Sequence, residues 1–136
     1  MADRPLSPHL SVYRMYRYSV LTSITNRLTG VALSAGLIVL VYWLMAAAGG
    51  AKAYGRALGV LSSGALKVIF LILLAAFSYH LLAGIRHLIW DSGRGLERSQ
   101  SQRSAWLIGI AGLLLFAGLA WWTCLHWTMA GAGGAR

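Results

Sequence analysis

The stretch "LTGVALSAGLIVLVYWLMAAAGGA", residues 28–51, carries no charged side chain. Two similar windows follow it. Residues 68–85 hold no Asp, Glu, Lys or Arg and one histidine, His80, and residues 104–135 likewise hold only His126. A helical crossing of the hydrocarbon core takes roughly 20 apolar residues. Inside a bilayer every backbone N–H and C=O has to be paired within its own segment, which for windows this long and this apolar means helix. Strand alternation is absent. The 136 residues are 58% hydrophobic and 11% charged, with a mean hydropathy of +0.65, well outside the usual soluble mixture. The expectation is an all-α membrane protein of three transmembrane helices. It forms a single membrane domain over 1–136, with spans at roughly 22–49, 63–90 and 104–128.

Charge sets the orientation. Arg4, Arg14, Arg17 and Arg27 precede the first span, and Arg86, Arg94, Arg98 and Arg103 surround the second connection. The opposite side receives Lys52, Arg56, Lys67 and Arg136. Eight against four places the N-terminus and the second connection inside, because positive residues are retained on the cytoplasmic face. The net charge of +9 is spread around span ends without an aromatic-interleaved basic patch, so topology accounts for it and nucleic acid is not expected. Tyr42, Trp43, Trp121, Trp122 and Trp127 fall at the outer interface, and Tyr13, Tyr16, Tyr18, Trp90 and Trp106 at the inner one, as in aromatic belts. Residues 49–63 and 91–103 read as short loops. The first twenty residues hold no apolar run, so neither a cleavable signal nor a transit sequence is expected, and a bacterial inner membrane is favoured over a mitochondrial one. Cys124 is the single cysteine, and with no C-x-x-C-H motif a covalently attached haem is not expected.

The chemistry concentrates in two stretches. In "HLLAGIRHLIWDSG", 80–93, His80 and His87 are seven residues apart and project from one helix face, about 10 Å apart along the axis. An ionisable group inside a span is costly and marks either function or a hydrogen bond to a neighbouring helix. Ala76 and Gly84 lie one turn either side of His80. They would bare the backbone for a flat ring, and a neutral imidazole is a good axial ligand for haem iron. Small residues also serve plain helix packing. His87 follows Arg86 and precedes Asp91 by four residues, so the carboxylate could orient the imidazole for a propionate contact or a proton relay. An interfacial histidine with a surface partner reads equally well. His9 reads as a surface histidine. His126 follows Ser104 by 22 residues, about 33 Å along its helix, too far to share an iron with His80. A haem held by His80 therefore draws its second strong ligand from another polypeptide.

In "SITNRLTG", 23–30, Ser23 and Arg27 share a face at the inner mouth of the first span. They offer hydrogen-bond donors suited to a quinone carbonyl that gains electrons and then protons. A snorkelling arginine at a span boundary fits the same spacing.

Together, "RPLSPHLSVYR" at 4–14, "SITNRLTG" at 23–30 and "HLLAGIRHLIWDSG" at 80–93 resemble the cytochrome b556 subunits of succinate dehydrogenase, from end to end of the chain. In that family the histidine corresponding to His80 is an axial ligand of haem b, and the other ligand comes from a hydrophobic anchor subunit. The resemblance thus implies one haem b shared with that partner, and packing against it. Ser23 and Arg27 match the family's ubiquinone-site motif, as do Thr29 and Gly30. Asn26 stands where the family has a histidine, and an amide cannot titrate. Arg86 and His87 are expected to take over part of that role, as haem propionate or proton contacts. The implied complex includes a flavoprotein subunit that oxidises succinate and an iron–sulfur subunit that passes the electrons on. No catalytic residue for succinate oxidation is expected in this chain, which has no dinucleotide fingerprint, cysteine cluster or soluble domain. A haem-free or fumarate-reductase-type anchor is the alternative. A proton or cation transporter would want an intramembrane carboxylate or a repeat, which the sequence lacks.

Overall fold

A computed structural model describes residues 17–133, with side chains described from 18 to 129. The motif at 4–14, His9, Tyr13, Tyr16 and Arg136 lie outside the described residues. Four helices follow one another: α1 (Arg17–Ala48), α2 (Ala51–Leu61), α3 (Gly64–Asp91) and α4 (Arg98–Gly133). Stretches of α1, α3 and α4, namely Tyr18–Ala48, Gly64–Asp91 and Arg98–Met129, are long and apolar enough to cross a membrane. The 28 residues of α3 rise about 42 Å, more than the roughly 30 Å of hydrocarbon.

Residues 49–63, expected as a loop, instead contain α2. Gly50 at φ +86° breaks the chain after α1 and caps α2. The segment "AKAYGRALGVL" then keeps a helical stripe that seats Ala57, fully buried, and brings Tyr54 to 6.4 Å from Trp43 on α1. Two glycines hid this stripe, since Gly55 and Gly59 weaken helix propensity. Ser63 caps α3, its hydroxyl accepting from Leu66 N. At the other end of α3, Gly93 adopts φ +78° as the amides of Ser92 and Gly93 bond back to Leu88 and Trp90 carbonyls, the usual left-handed helix stop.

α3 lies between α1 and α4 and packs on both. Helices in lipid gain little from burying large apolar side chains and associate instead through small residues that let backbones approach. The buried positions follow that rule: Ala76, Ser78, Ala83 and Ala105 are all small, and Arg86 is the one large exception among the described residues. A Cβ built on Gly112 of α4 would lie 3.5 Å from Tyr79 Cα, and one on Gly36 of α1 would meet Leu73 at 3.0 Å. The large side chains point outward, Ile38 and Trp121 being 72% and 75% exposed. Several hydroxyls on the helices bond back to carbonyls one turn earlier, as Ser78 does to Leu74 and Thr123 to Leu119, which pairs them in an apolar setting.

At one end of the α3–α4 pair, Trp127 meets Phe70 at 5.9 Å and Lys67 at 5.4 Å. At the other end, Arg86 ties α3 to the first turns of α4. This second end carries most of the candidate site residues named from the sequence.

Candidate functional site

Between the N-terminal part of α1 and the C-terminal part of α3 lies a cleft of about 400 Å³. α1 contributes Ser19, Thr22, Ser23, Asn26 and Arg27; α3 contributes Tyr79, Ala83, Arg86, His87 and Trp90; Ile108 of α4 closes one side. Ser23, Arg27, Arg86 and His87, named from two separate motifs, thus face a common cleft. Ser23, Arg27 and His87 are exposed to it, whereas Arg86 is only 6% exposed.

Burial of Arg86 is matched by its partners. Its Nε donates to Ser104 Oγ at 2.9 Å, and its Nη2 donates to Ser101 O at 2.7 Å and Ser101 Oγ at 3.1 Å. The guanidinium stacks over Trp90 at 4.0 Å, and the indole N–H of Trp90 is held by Gly95 O at 3.1 Å. An unpaired charge here would cost several kcal/mol, so the serines of α4 and the turn glycine together make this arginine tolerable. Two of its nitrogens are committed to α4, and the cation lines the cleft from behind.

His87 is oriented differently from the sequence expectation. No hydrogen bond or ion pair joins it to Asp91, which is exposed. The amide N–H of Asn26 donates to His87 Nε2 at 3.4 Å, and the imidazole lies edge-on to Trp90 at 5.4 Å. One turn along a helix does bring Asp91 near, but the cross-helix amide and the aromatic wall are what hold the ring. Asn26 Oδ1 is buried and has no hydrogen-bond partner among the described residues. Buried amide oxygens are normally paired, so this acceptor suits a donor brought by a ligand or water in the cleft.

His80 lies seven residues before His87 on α3, about 10 Å deeper, and is half-buried outside the cleft lining. Its Nδ1 is 3.1 Å from Thr29 Oγ1 of α1. The ring edge runs so close to Gly30 that a Cβ there would lie 3.2 Å from Cε1. His80 Nε2 makes no hydrogen bond among the described residues. The small residues of its own helix divide: Ala76 is buried in the bundle and offers no open face, while a Cβ on Gly84 would meet nothing within 4 Å. The glycine that admits the His80 ring is therefore Gly30, across the interface. His126 is remote, on the far part of α4, with Nδ1 2.8 Å from Trp122 O.

A model of the family described as "Succinate dehydrogenase/Fumarate reductase transmembrane subunit" matches residues 2–131. This chain belongs to that family. It is 44% identical over 115 residues to a succinate dehydrogenase cytochrome b556 subunit of Paracoccus denitrificans, an alignment that takes in 85% of this chain and 87% of the relative. A cytochrome b556 subunit of Rickettsia felis is 36% identical over 112 residues, covering 82% and 86% of the two chains. A mitochondrial cytochrome b560 subunit of Mus musculus is 34% identical over 116 residues, 84% of this chain and 66% of the relative. As a family member with three apolar helices of spanning length, this is a membrane protein of the succinate dehydrogenase cytochrome b type.

Asn26, Thr29 and Gly30 are the residues whose part in the site the sequence did not disclose. Thr29 and Gly30 had been legible only as motif matches, and Asn26 only as a departure. Their common signal is spacing: Asn26 and Thr29 share a face of α1 as His87 and His80 share a face of α3, so two antiparallel helices can match them in pairs.

Proposed function

We propose that this chain is the haem b- and ubiquinone-binding membrane anchor subunit of a succinate dehydrogenase, seated in a bacterial inner membrane with its N-terminus cytoplasmic. The observation that carries the reading is the shared cleft, in which Ser23 and Arg27 of α1 face His87 and the buried cation Arg86 of α3. The positive residues Arg94, Arg98 and Arg103 lie at the same end, which puts the cleft toward the cytoplasm if the positive-inside rule holds. A flavoprotein subunit would oxidise succinate there, and an iron–sulfur subunit would deliver the electrons.

Reduction of a quinone to a quinol takes two electrons and two protons, and negative charge grows on the carbonyl oxygens as electrons arrive. Ser23 and Arg27 place a hydroxyl and a guanidinium where they donate hydrogen bonds to such an oxygen, and preorganised donors stabilise developing charge at little reorganisation cost. The Arg86 cation adds a positive potential from behind without leaving its serine partners. His87 brings an exposed imidazole to the cleft, a ring suited to a propionate or proton contact on the side of the inner surface. Asn26 Oδ1 offers an acceptor to a quinol O–H or a propionic acid. Trp90 keeps Arg86 and His87 in register.

His80 is the residue suited to an axial ligand, with Nε2 unbonded by protein among the described residues and Nδ1 engaged. Haem b held there would supply one-electron chemistry. His87 is about 10 Å away along the helix and His126 lies on the far part of α4, so a second ligand to the iron would come from a partner anchor subunit.

The test is quinone kinetics in the whole complex. Arg27→Leu and Ser23→Ala should each raise KM or lower kcat for ubiquinone at least tenfold and threefold respectively, while dye-coupled succinate oxidation stays at the parent rate. Parent-like quinone kinetics in both would refute the assignment.

A further inference from the structure

We propose that Thr29 is a positioning residue that fixes the tautomer of His80, keeping the proton on Nδ1 and presenting the Nε2 lone pair as the donor to iron; this rests on the haem-ligand reading above. Neutral imidazole carries one proton, and which nitrogen holds it decides whether Nε2 can bind a metal at all. The answer follows from counting protons around Thr29. Its Oγ1 sits 2.9 Å from the carbonyl oxygen of Thr25, 3.0 Å from that of Asn26, and 3.1 Å from His80 Nδ1. The hydroxyl has a single proton. Both carbonyls accept only, so aiming that proton at Nδ1 would leave three oxygens at about hydrogen-bond distance with nothing between them. Placed toward the carbonyls, the proton satisfies them, and the hydroxyl oxygen turns a lone pair to Nδ1. His80 Nδ1–H then donates to Thr29 Oγ1, and Nε2 is left bare.

Two further features hold the arrangement. A β-branched threonine in a helix has few χ1 choices, and the bond back to the i−4 carbonyl selects the one seen here. Gly30 removes the side chain that would push the ring edge away, since a Cβ would approach His80 Cε1 to 3.2 Å. A hydrogen bond from the second nitrogen also raises the basicity of a ligating imidazole. Stronger donation favours the oxidised metal, so the Thr29 hydroxyl should hold the reduction potential down.

The test uses the whole complex with Thr29→Val, which keeps the shape and removes the acceptor, and Thr29→Ser, which restores it. Haem midpoint potential at fixed pH and the low-spin EPR g-values are read beside the haem-to-flavin ratio. Thr29→Val should retain a b-type spectrum with a higher midpoint potential and altered g-values, and Thr29→Ser should return both to the parent. Should Thr29→Val fail to assemble, Thr29→Ala and Thr29→Ser give the same contrast, with the parental potential expected only for serine. Parental potential and g-values in the valine or alanine variant would overturn the proposal, as would a serine variant that behaves like them. A parent complex without a b-type spectrum would instead remove the haem reading itself.

Discussion

Gly30→Ala places one methyl group against the His80 ring, and its consequence can be worked from three distances. The added Cβ would lie 3.2 Å from Cε1 and 3.8 Å from Nδ1. Comfortable contact needs a few tenths of an ångström more. Parting the helices would open the close packing at Gly36, about two turns away on the same interface, where the backbones approach so nearly that an added Cβ would lie 3.0 Å from Leu73 Cδ1. The ring must retreat instead, which stretches the 3.1 Å bond between Thr29 Oγ1 and Nδ1 to the edge of hydrogen bonding. Loss of that bond costs about 1 kcal/mol, and overpacking adds about 1–3 kcal/mol. Alanine returns about 1 kcal/mol through helix propensity. The balance is a net loss of about 1–3 kcal/mol. Gly118→Ala is the matched control, since its Cβ would meet nothing within 4 Å; it should be neutral or stabilising by up to about 1 kcal/mol. Thermal unfolding of the detergent-solubilised complex, followed by circular dichroism and by the visible spectrum, ranks the two. The order Gly118→Ala above parent above Gly30→Ala is expected. A Gly30→Ala complex as stable as Gly118→Ala, with an unaltered spectrum, would refute the close approach of α1 to His80.

Removing the guanidinium with Arg86→Ala should cost about 3 kcal/mol, less than the sum of its charged hydrogen bonds because Ser104 also bonds Ser101 O, and Arg86→Lys should cost less; equilibrium unfolding in mixed micelles measures both. Gly93→Ala forces a side chain into φ +78° and should cost about 1–2 kcal/mol, loosening the α3–α4 turn, which limited proteolysis between 92 and 97 would register as faster cleavage. Asn26→Leu removes both the donor to His87 Nε2 and the buried acceptor, and should lower quinone turnover with little change in dye-coupled succinate oxidation.

The membrane class and the three long helices were open to reading because hydrocarbon imposes a length and a composition that charge-free windows such as 28–51 declare directly. The α2 helix was not. An eleven-residue amphipathic segment with two glycines carries too little signal in itself, and its helix is stabilised by seating Ala57 and Tyr54 against neighbours, which is tertiary information. The same division runs through the site. Ser23 with Arg27, and His80 with His87, are visible as same-face pairs because the helix period alone determines them. That Asn26 meets His87 and Thr29 meets His80 depends on the register of two antiparallel helices. Close contacts such as those at Gly36 and Gly30 set that register, and hydropathy says nothing about it. Asp91 shows the converse error: the i+4 rule offered a partner for His87 that the cross-helix amide supplied instead. Of the two readings open for Ala76, burial in the bundle favours helix packing, and the close approach to the His80 ring falls to Gly30.

The central claim, that His80 is the haem ligand this chain contributes, is tested most directly by a dithionite-reduced minus oxidised visible spectrum of the solubilised complex, with His80→Ala beside the parent. The account predicts a sharp low-spin b-type band in the parent that is lost or altered in the variant. An identical band in His80→Ala would contradict it and move the ligand elsewhere, and a parent without the band would leave the chain a haem-free anchor.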